Sequence, residues 1–319
     1  MFELTFLGTA AGVPSIERGL PALLVQARHR RFLVDCGEGT QRQLLKSGLG
    51  FRRLERVLFT HAHLDHVLGL GGLVGTLALL DASEGLIVHG DADTLRVVRH
   101  LIGEVVWPGF RPPLPITLIE LLPGVVLDDD DLRVSAFRVR HREAKGFGFR
   151  FEEKPRRPML PERLDALGVP AGPERRRLVR GETIALPDGR RVTPDEVLAE
   201  ARPGTVLVVI GDAGDAAQLL PHVRNADTLV IEATFLERDA DKARARGHLT
   251  AAQAARLAGE AGVGMLWLTH ISPRYAHEEV QAEAGAIFPG AQVARDFDRV
   301  TVRRRPDPAG ASTDGPRSG

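Results

Sequence analysis

The chain has 319 residues, 43% of them hydrophobic, with 42 basic and 42 acidic side chains. That apolar share is enough for a sizeable core, which excludes wholesale disorder, and the longest apolar stretch, 67–80, is broken by glycines and stops at Asp81, too short for a membrane span. A net charge of zero gives no overall bias toward nucleic acid, so any such surface must come from local charge.

In chain order, residues 2–6, 23–26, 31–35 and 56–60 read as short strands, punctuated by Gly8, Gly12, Gly37 and Gly39. Helices are expected at 40–47 and 65–80, then a strand at 86–89 and a helix at 91–102. Residues 132–139 alternate as a strand does, and 205–210 and 227–232 are continuous apolar runs of buried strands. An Ala-rich helix follows at 250–260, where Thr250 can cap it, and 265–269 is one more strand. Strands flanked by helices on both sides predict a sheet sandwich covered by helices. Residues 152–192 stand apart, rich in Pro, Gly and Arg. Between Lys154 and Arg180 eight basic residues face three acidic ones, a local charge of +5. Residues 304–319 are Pro/Gly/Ser-rich and expected to be disordered. The N-terminus lacks the basic start and long apolar stretch of a signal peptide, and the single cysteine, Cys36, excludes an internal disulfide framework. Together they predict a reducing cytoplasm and no membrane.

The strongest chemical signal is His61-Ala-His63-Leu-Asp65-His66, directly after the apolar strand Val57-Leu58-Phe59. Side chains alternate at a strand end, so His61 and His63 can share one metal, and the turn into a helix brings Asp65 and His66 toward a second. Imidazole nitrogen and carboxylate oxygen are the donors zinc takes when a water must also bind. The further ligands should also follow strands. His141, Asp212 and His270 each do, and Asp212 could bridge two metals through its two oxygens.

The sequence resembles the metallo-β-lactamase superfamily and, within it, the tRNase Z (ribonuclease Z) family from Met1 to about Val302. The resemblance rests on Phe6-Leu-Gly-Thr-Ala-Ala-Gly-Val-Pro-Ser15, Asp35-Cys-Gly-Glu-Gly-Thr-Gln41 and Thr60-His-Ala-His-Leu-Asp-His66. It continues through His141, Gly211-Asp212, Glu232-Ala-Thr-Phe235, Gly247-His-Leu-Thr250 and Leu268-Thr-His-Ile-Ser-Pro-Arg-Tyr275. It implies an α/β fold, a four-layer αββα sandwich of two mixed sheets spanning 1–303, with 152–192 as a protruding flexible arm that grips tRNA. It implies two zinc ions per subunit, with manganese or iron as other possible occupants. His61, His63, His141 and Asp212 would hold one ion, and Asp65, His66, Asp212 and His270 the other. Asp65 matches the family's proton acceptor, and His248 a histidine that assists the leaving group. The substrate implied is precursor tRNA, cut to free its 3′ trailer, and the assembly implied is a homodimer. Three positions depart from the family pattern: Leu64 for glycine, Ala213 for threonine and Gly19 for asparagine.

Some readings stay open. Glu232 either orients His248 or simply ends a strand, and Arg274 either meets phosphate or packs beside Tyr275. Histidines 29, 89, 100, 222 and 277 read as ordinary surface or core residues. The competing functions are a hydrolase of the same fold acting on a small substrate and a non-catalytic zinc-stabilised RNA-binding module. The full ligand set argues against the second, because structural zinc sites are normally closed and mononuclear.

Overall fold

The protein is described from a computed structural model covering residues 1–142 and 144–305; the expected disordered tail lies, from residue 306 on, outside the described residues. The first sheet is built from β1 (Phe2–Gly8), β2 (Ala22–Ala27), β3 (Arg30–Val34), β4 (Leu54–Leu58), β5 (Leu86–Gly90) and β6 (Ile116–Glu120). The second begins with β7 (Gly124–Asp128), β8 (Leu132–His141) and β9 (Ala144–Glu153). After a ribbon of β10 (Ile184–Ala185) and β11 (Arg191–Val192), the second sheet resumes with β12 (Val206–Ile210), β13 (Thr228–Glu232), β14 (Met265–Thr269) and β15 (Ala291–Val293). Finally β16 (Arg299–Thr301) returns to β1. The strand orders are β16-β1-β2-β3-β4-β5-β6 and β15-β14-β13-β12-β9-β8-β7. Both sheets are mixed: β3 to β6 run parallel after antiparallel β1 to β3, and β12 to β15 run parallel beside antiparallel β9.

The apolar runs explain the layering. In a strand alternate side chains face opposite ways, so a strand apolar at every position must be covered on both faces. In β2, Leu23 and Val25 enter the core between the sheets, while Ala22 and Leu24 enter the core outside the first sheet. In β12, Leu207 and Val209 face the sandwich interior, and Val208 and Ile210 face the helices outside the second sheet. The interior is closed by aromatic rings, with Phe32 and Phe151 edge to face at 5.5 Å. Burying each such ring contributes roughly 1.5–3 kcal/mol. Helices Leu70–Leu79 and Ala92–His100 cover the first sheet through Leu73, Val74, Leu77, Leu95 and Val98. Helices Ala251–Glu260 and His277–Ile287 cover the second through small residues such as Ala254, Ala255, Ala258 and Ala284. The result is the expected αββα arrangement.

Thr250 caps its helix as expected: its hydroxyl accepts from Gln253 N at 3.1 Å, and Gln253 Oε1 accepts from Thr250 N at 2.9 Å. Two helices differ from expectation. The span 65–80 is two helices, Leu64–Val67 and Leu70–Leu79, joined through Leu68 and Gly69. At Gly69 a Cβ would lie 1.9 Å from the Gly37 carbonyl oxygen, so the joint is pressed against the turn after β3. The helix expected at 91–102 ends as an α-helix at His100 and continues as a π-helix over Leu101–Val106.

Residues Glu153–Gly204 form a second compact unit. The expected insertion at 152–192 overlaps it, and the unit continues to Gly204. Its core is Leu164, Val169, Leu178, Ile184, Leu186, Val192, Val197 and Leu198. Three short helices, Pro161–Ala166, Pro173–Val179 and Pro194–Val197, each start with proline, whose fixed φ and missing N–H suit a first turn. No helix among the described residues is long and apolar enough to cross a membrane.

Candidate metal centre

One edge of the sandwich collects the carboxyl ends of strands from both sheets. Asp35 follows β3, and Thr60, His61, His63, Asp65 and His66 follow β4. From the second sheet, His141 ends β8, Asp212 follows β12, Glu232 ends β13 and His270 follows β14. The parallel run β12–β13–β14 places the last three side by side.

Asp212 stands at the centre. Its Oδ2 lies 3.6 Å from Nε2 of both His61 and His141, and its Oδ1 lies 3.4 Å from Nε2 of His66 and 3.2 Å from Nε2 of His270. Asp65 Oδ2 is 3.6 Å from Nε2 of both His66 and His270. His63 joins His61, His141 and Asp212, with one donor atom from each within 4.8 Å of the others. Donors about 2.0–2.1 Å from a shared tetrahedral ion would stand about 3.3 Å apart, so these gaps suit a cation better than direct hydrogen bonds. Nε2 of His61, His66, His141 and His270 and Oδ1 of Asp212 are all buried without a hydrogen-bond partner. Leaving so many polar atoms unsatisfied is costly, and a bound metal cation would satisfy them. The residues present therefore fit a bound metal.

The imidazoles are aimed by contacts on their other nitrogen. His66 Nδ1 meets Asp35 Oδ2 at 2.8 Å, His141 Nδ1 meets the Gly247 carbonyl at 2.7 Å, and His270 Nδ1 meets Thr234 Oγ1 at 2.8 Å. Thr60 Oγ1, 3.0 Å from His61 Nδ1, donates to Asp35 Oδ2 at 2.9 Å. Such partners fix which nitrogen faces the metal. Gly247 has φ 67, and a Cβ there would lie 2.7 Å from Arg142, so only glycine brings this carbonyl to His141. Glu232 is fully buried; it accepts from Ala213 N at 2.7 Å, meets His248 Nδ1 at 2.9 Å and takes the Thr234 hydroxyl as well. Glu232 thus both ends its strand and orients His248. Asp35 and His270 hold left-handed backbone conformations, with φ 58 and 56, a strain that recurs at functional sites.

Burial pushes the pKa of His61, His63 and His141 down, leaving the neutral imidazole that a metal needs. Burial also disfavours charge on His66, but Asp212 and Asp35 outweigh it and hold its pKa well above the ordinary value. Burial would raise the carboxyl pKa of Asp65, yet His270 and His66 hold it well below the usual range. His248 is raised: burial opposes its charge, and Glu232 followed by Asp212 overcomes that.

A family model described as Anti-Pycsar protein Apyc1 matches residues 2–82, a span that includes the His-x-His-x-Asp-His run but none of the later site residues. The full chain is matched elsewhere. A ribonuclease Z from Bradyrhizobium sp. (strain ORS 278) is 54% identical over 302 residues, covering 95% of this chain and 100% of that one. The chain belongs to the ribonuclease Z family. Human tRNase Z, short form, is 25% identical, with TM-score 0.66 over 94% of this chain and 99% of that one. The metallo-β-lactamase fold protein YhfI from Bacillus subtilis shares the fold, with TM-score 0.67 at 20% identity over 94% of this chain and 98% of that one. As a ribonuclease Z family member, the chain is an endoribonuclease of the metallo-β-lactamase fold.

All eight residues singled out from sequence lie at this edge: His61, His63, Asp65, His66, His141, Asp212, His248 and His270. Sequence reasoning had not assigned site roles to Asp35, Thr60, Thr234 or the Gly247 carbonyl. Asp35 carries a chemical signal, an acidic residue just after a strand, whereas Thr60, Thr234 and Gly247 stand out only as members of the family runs. The departures are accommodated. Leu64 opens a helix with its side chain exposed, Ala213 contributes through its backbone N–H, and Gly19 N donates to Asp296 Oδ2 at 2.7 Å. Arg274 is exposed, while Tyr275 packs inward and donates to Asp239 Oδ2 at 2.7 Å. The remaining histidines stay outside the metal clusters; His222, for instance, stacks on Phe137.

Proposed function

We propose that the protein is a zinc-dependent endoribonuclease that removes the 3′ trailer from precursor tRNA, leaving a 3′-hydroxyl on the tRNA and a 5′-phosphate on the trailer. The observation that carries this reading is the division of Asp212, whose two oxygens each face a separate set of unsatisfied nitrogens beside the Glu232–His248 pair. His61, His63, His141 and Asp212 would hold one ion, and Asp65, His66, His270 and Asp212 the other. Ions bound there supply Lewis-acid polarisation of the phosphodiester and acidify a water enough for it to ionise near neutral pH.

Asp65 is the proposed proton acceptor. Its carboxylate accepts from Gly12 N at 3.1 Å and stays ionised at neutral pH, so it can take a proton from water. Its low affinity for that proton makes it a relay, not a store. His248 is the proposed general acid. Glu232 raises its hold on a proton and engages Nδ1, which leaves Nε2 to donate to the departing 3′-oxygen. The Glu153–Gly204 unit is the proposed exosite for tRNA. Its charge is modest, eleven basic against nine acidic residues, and Arg157, Arg175, Arg177 and Arg190 are already paired within it. Shape and arginines without a side-chain partner among the described residues, such as Arg176 and Arg180, must therefore do more than bulk charge. A homodimer is the proposed assembly.

The test is cleavage of an end-labelled precursor tRNA by the purified protein, with and without chelator, with both new ends mapped. Chelator-sensitive cleavage that leaves a 3′-hydroxyl is expected, together with its loss in Asp65→Ala under zinc saturation. A protein that leaves precursor tRNA intact while hydrolysing a small phosphodiester would replace this reading with that of a small-substrate hydrolase.

A further inference from the structure

Arg138, Arg140 and Arg142 are all exposed along the end of β8, while the intervening Val139 and His141 are buried. The period of two that sends His141 into the metal centre sets Arg138 and Arg140 on the opposite face, roughly 6.6 Å apart along the strand, and Arg142 follows in the left-handed turn just past its end. Arg138 is held over the Phe147 ring at 4.3 Å. Among the described residues, no ion pair or side-chain hydrogen bond engages the guanidinium of Arg140 or Arg142. Like charges on one face of a strand repel, so this row costs stability unless an anion lies along it.

The row leads somewhere specific. Arg140 and Arg142, with Arg244, His63, Gly214 and Gly247, line a cleft of about 700 Å³ in which Asp215 is the only carboxylate among the described residues. Arg244 pairs with Asp241, but both side chains are exposed, so that pair is weak and can be exchanged. His63 belongs to the metal centre, and Gly247 adjoins His248, so the cleft opens beside the proposed general acid. The oxygen that His248 protonates belongs to the nucleotide kept by the tRNA.

We propose that Arg140, Arg142 and Arg244 bind successive backbone phosphates of the tRNA acceptor strand, upstream of the scissile bond. The assignment rests on the precursor-tRNA reading above. Arginine suits it because its planar fork takes a phosphate through two hydrogen bonds. Such contacts position a strand without reading its sequence.

The test compares wild type, Arg140→Ala/Arg142→Ala and Arg140→Lys/Arg142→Lys. The substrates are a precursor tRNA with a long trailer, the same tRNA with a one-nucleotide trailer, and bis(p-nitrophenyl) phosphate. The alanine pair is expected to raise KM about tenfold for both RNAs. It should also flatten the salt dependence of kcat/KM by about 1.4 logarithmic units per decade, the loss of two single-strand phosphate contacts. Hydrolysis of the small diester should change less than twofold, and the lysine pair should recover part of the RNA affinity. Unchanged KM for RNA would overturn the proposal, as would an equal loss on all three substrates. An effect confined to the long trailer would place the arginines downstream and refute the acceptor-strand assignment. If wild type cuts the small diester but neither RNA, the functional reading fails instead, whatever the variants do.

Discussion

At the scale of single residues, the proposed acid is set by one fully buried neighbour. Glu232 touches His248 at 2.9 Å and raises its pKa against the effect of burial. Glu232→Gln removes the charge but keeps the shape, so His248 should lose its proton at lower pH. The alkaline limb of the pH–rate profile for RNA cleavage should move to lower pH; an unmoved limb would reject His248 as the acid. A second titration concerns stability. His89 is 2% exposed, and burial, then the neighbouring Arg56, pushes its pKa down to about 4. An unfolded chain therefore binds a proton at this position that the folded one refuses between about pH 6.5 and 4. Its contribution is present above pH 6.5 and is lost as pH falls through that window. His89→Asn should lose on the order of 2 kcal/mol less than wild type between pH 7 and 4.5, as read from urea midpoints.

The clustered His and Asp residues were legible from two patterns: the His-x-His-x-Asp-His run after β4, and a histidine or aspartate at the end of three other strands. Their supports were not. The partner of His141 is a backbone carbonyl 106 residues away, and a carbonyl has no signature in sequence. Asp35 meets His66 across 31 residues and shows its role only once β3 and β4 lie side by side.

Among the elements, β12 and β13 were legible as continuous apolar runs buried on both faces and β8 by its alternation, while β6, β7, β15 and β16, short or largely exposed, were not. β9 was missed although Phe147, Phe149 and Phe151 alternate through it; Gly146 and Gly148 on either side of the first ring weaken the strand pattern. The break at Gly69 was also unreadable, because it answers to Gly37, a residue on another element. That contact makes a clear prediction. Gly69→Ala would press a methyl into the Gly37 carbonyl, and the helix carrying Asp65 and His66 would have to shift. A destabilisation of about 1–3 kcal/mol is expected from such overpacking, with weaker metal binding. An unchanged Tm and unchanged zinc affinity would show that the joint has room to spare.

For the whole molecule, the site draws on both sheets. His61, His63, Asp65 and His66 come from the first, and His141, Asp212 and His270 from the second. Ions shared between them would staple the sandwich, and binding to the native state alone stabilises by mass action. At a free metal concentration 100 times Kd this amounts to about 2.7 kcal/mol. Calorimetry should therefore show Tm rising with zinc and falling on chelation, with far-UV circular dichroism nearly unchanged below the transition. Equal Tm values for apo and zinc-loaded protein would count against ions that join the sheets.

The two ends of the Glu153–Gly204 unit meet: a Cβ on Gly204 would lie 2.2 Å from the Glu153 carbonyl oxygen. Its removal therefore leaves two chain ends already in contact, and a short turn can join them. Such an excised protein should keep hydrolysis of a small diester and lose affinity for precursor tRNA; full RNA affinity would remove the unit from recognition. The same touching ends bear on hydrogen exchange. A segment with its own small core can open as a cooperative unit of its own. Its amides should exchange in a separate, faster class than those of β12 and β13, and RNA binding should merge the two classes.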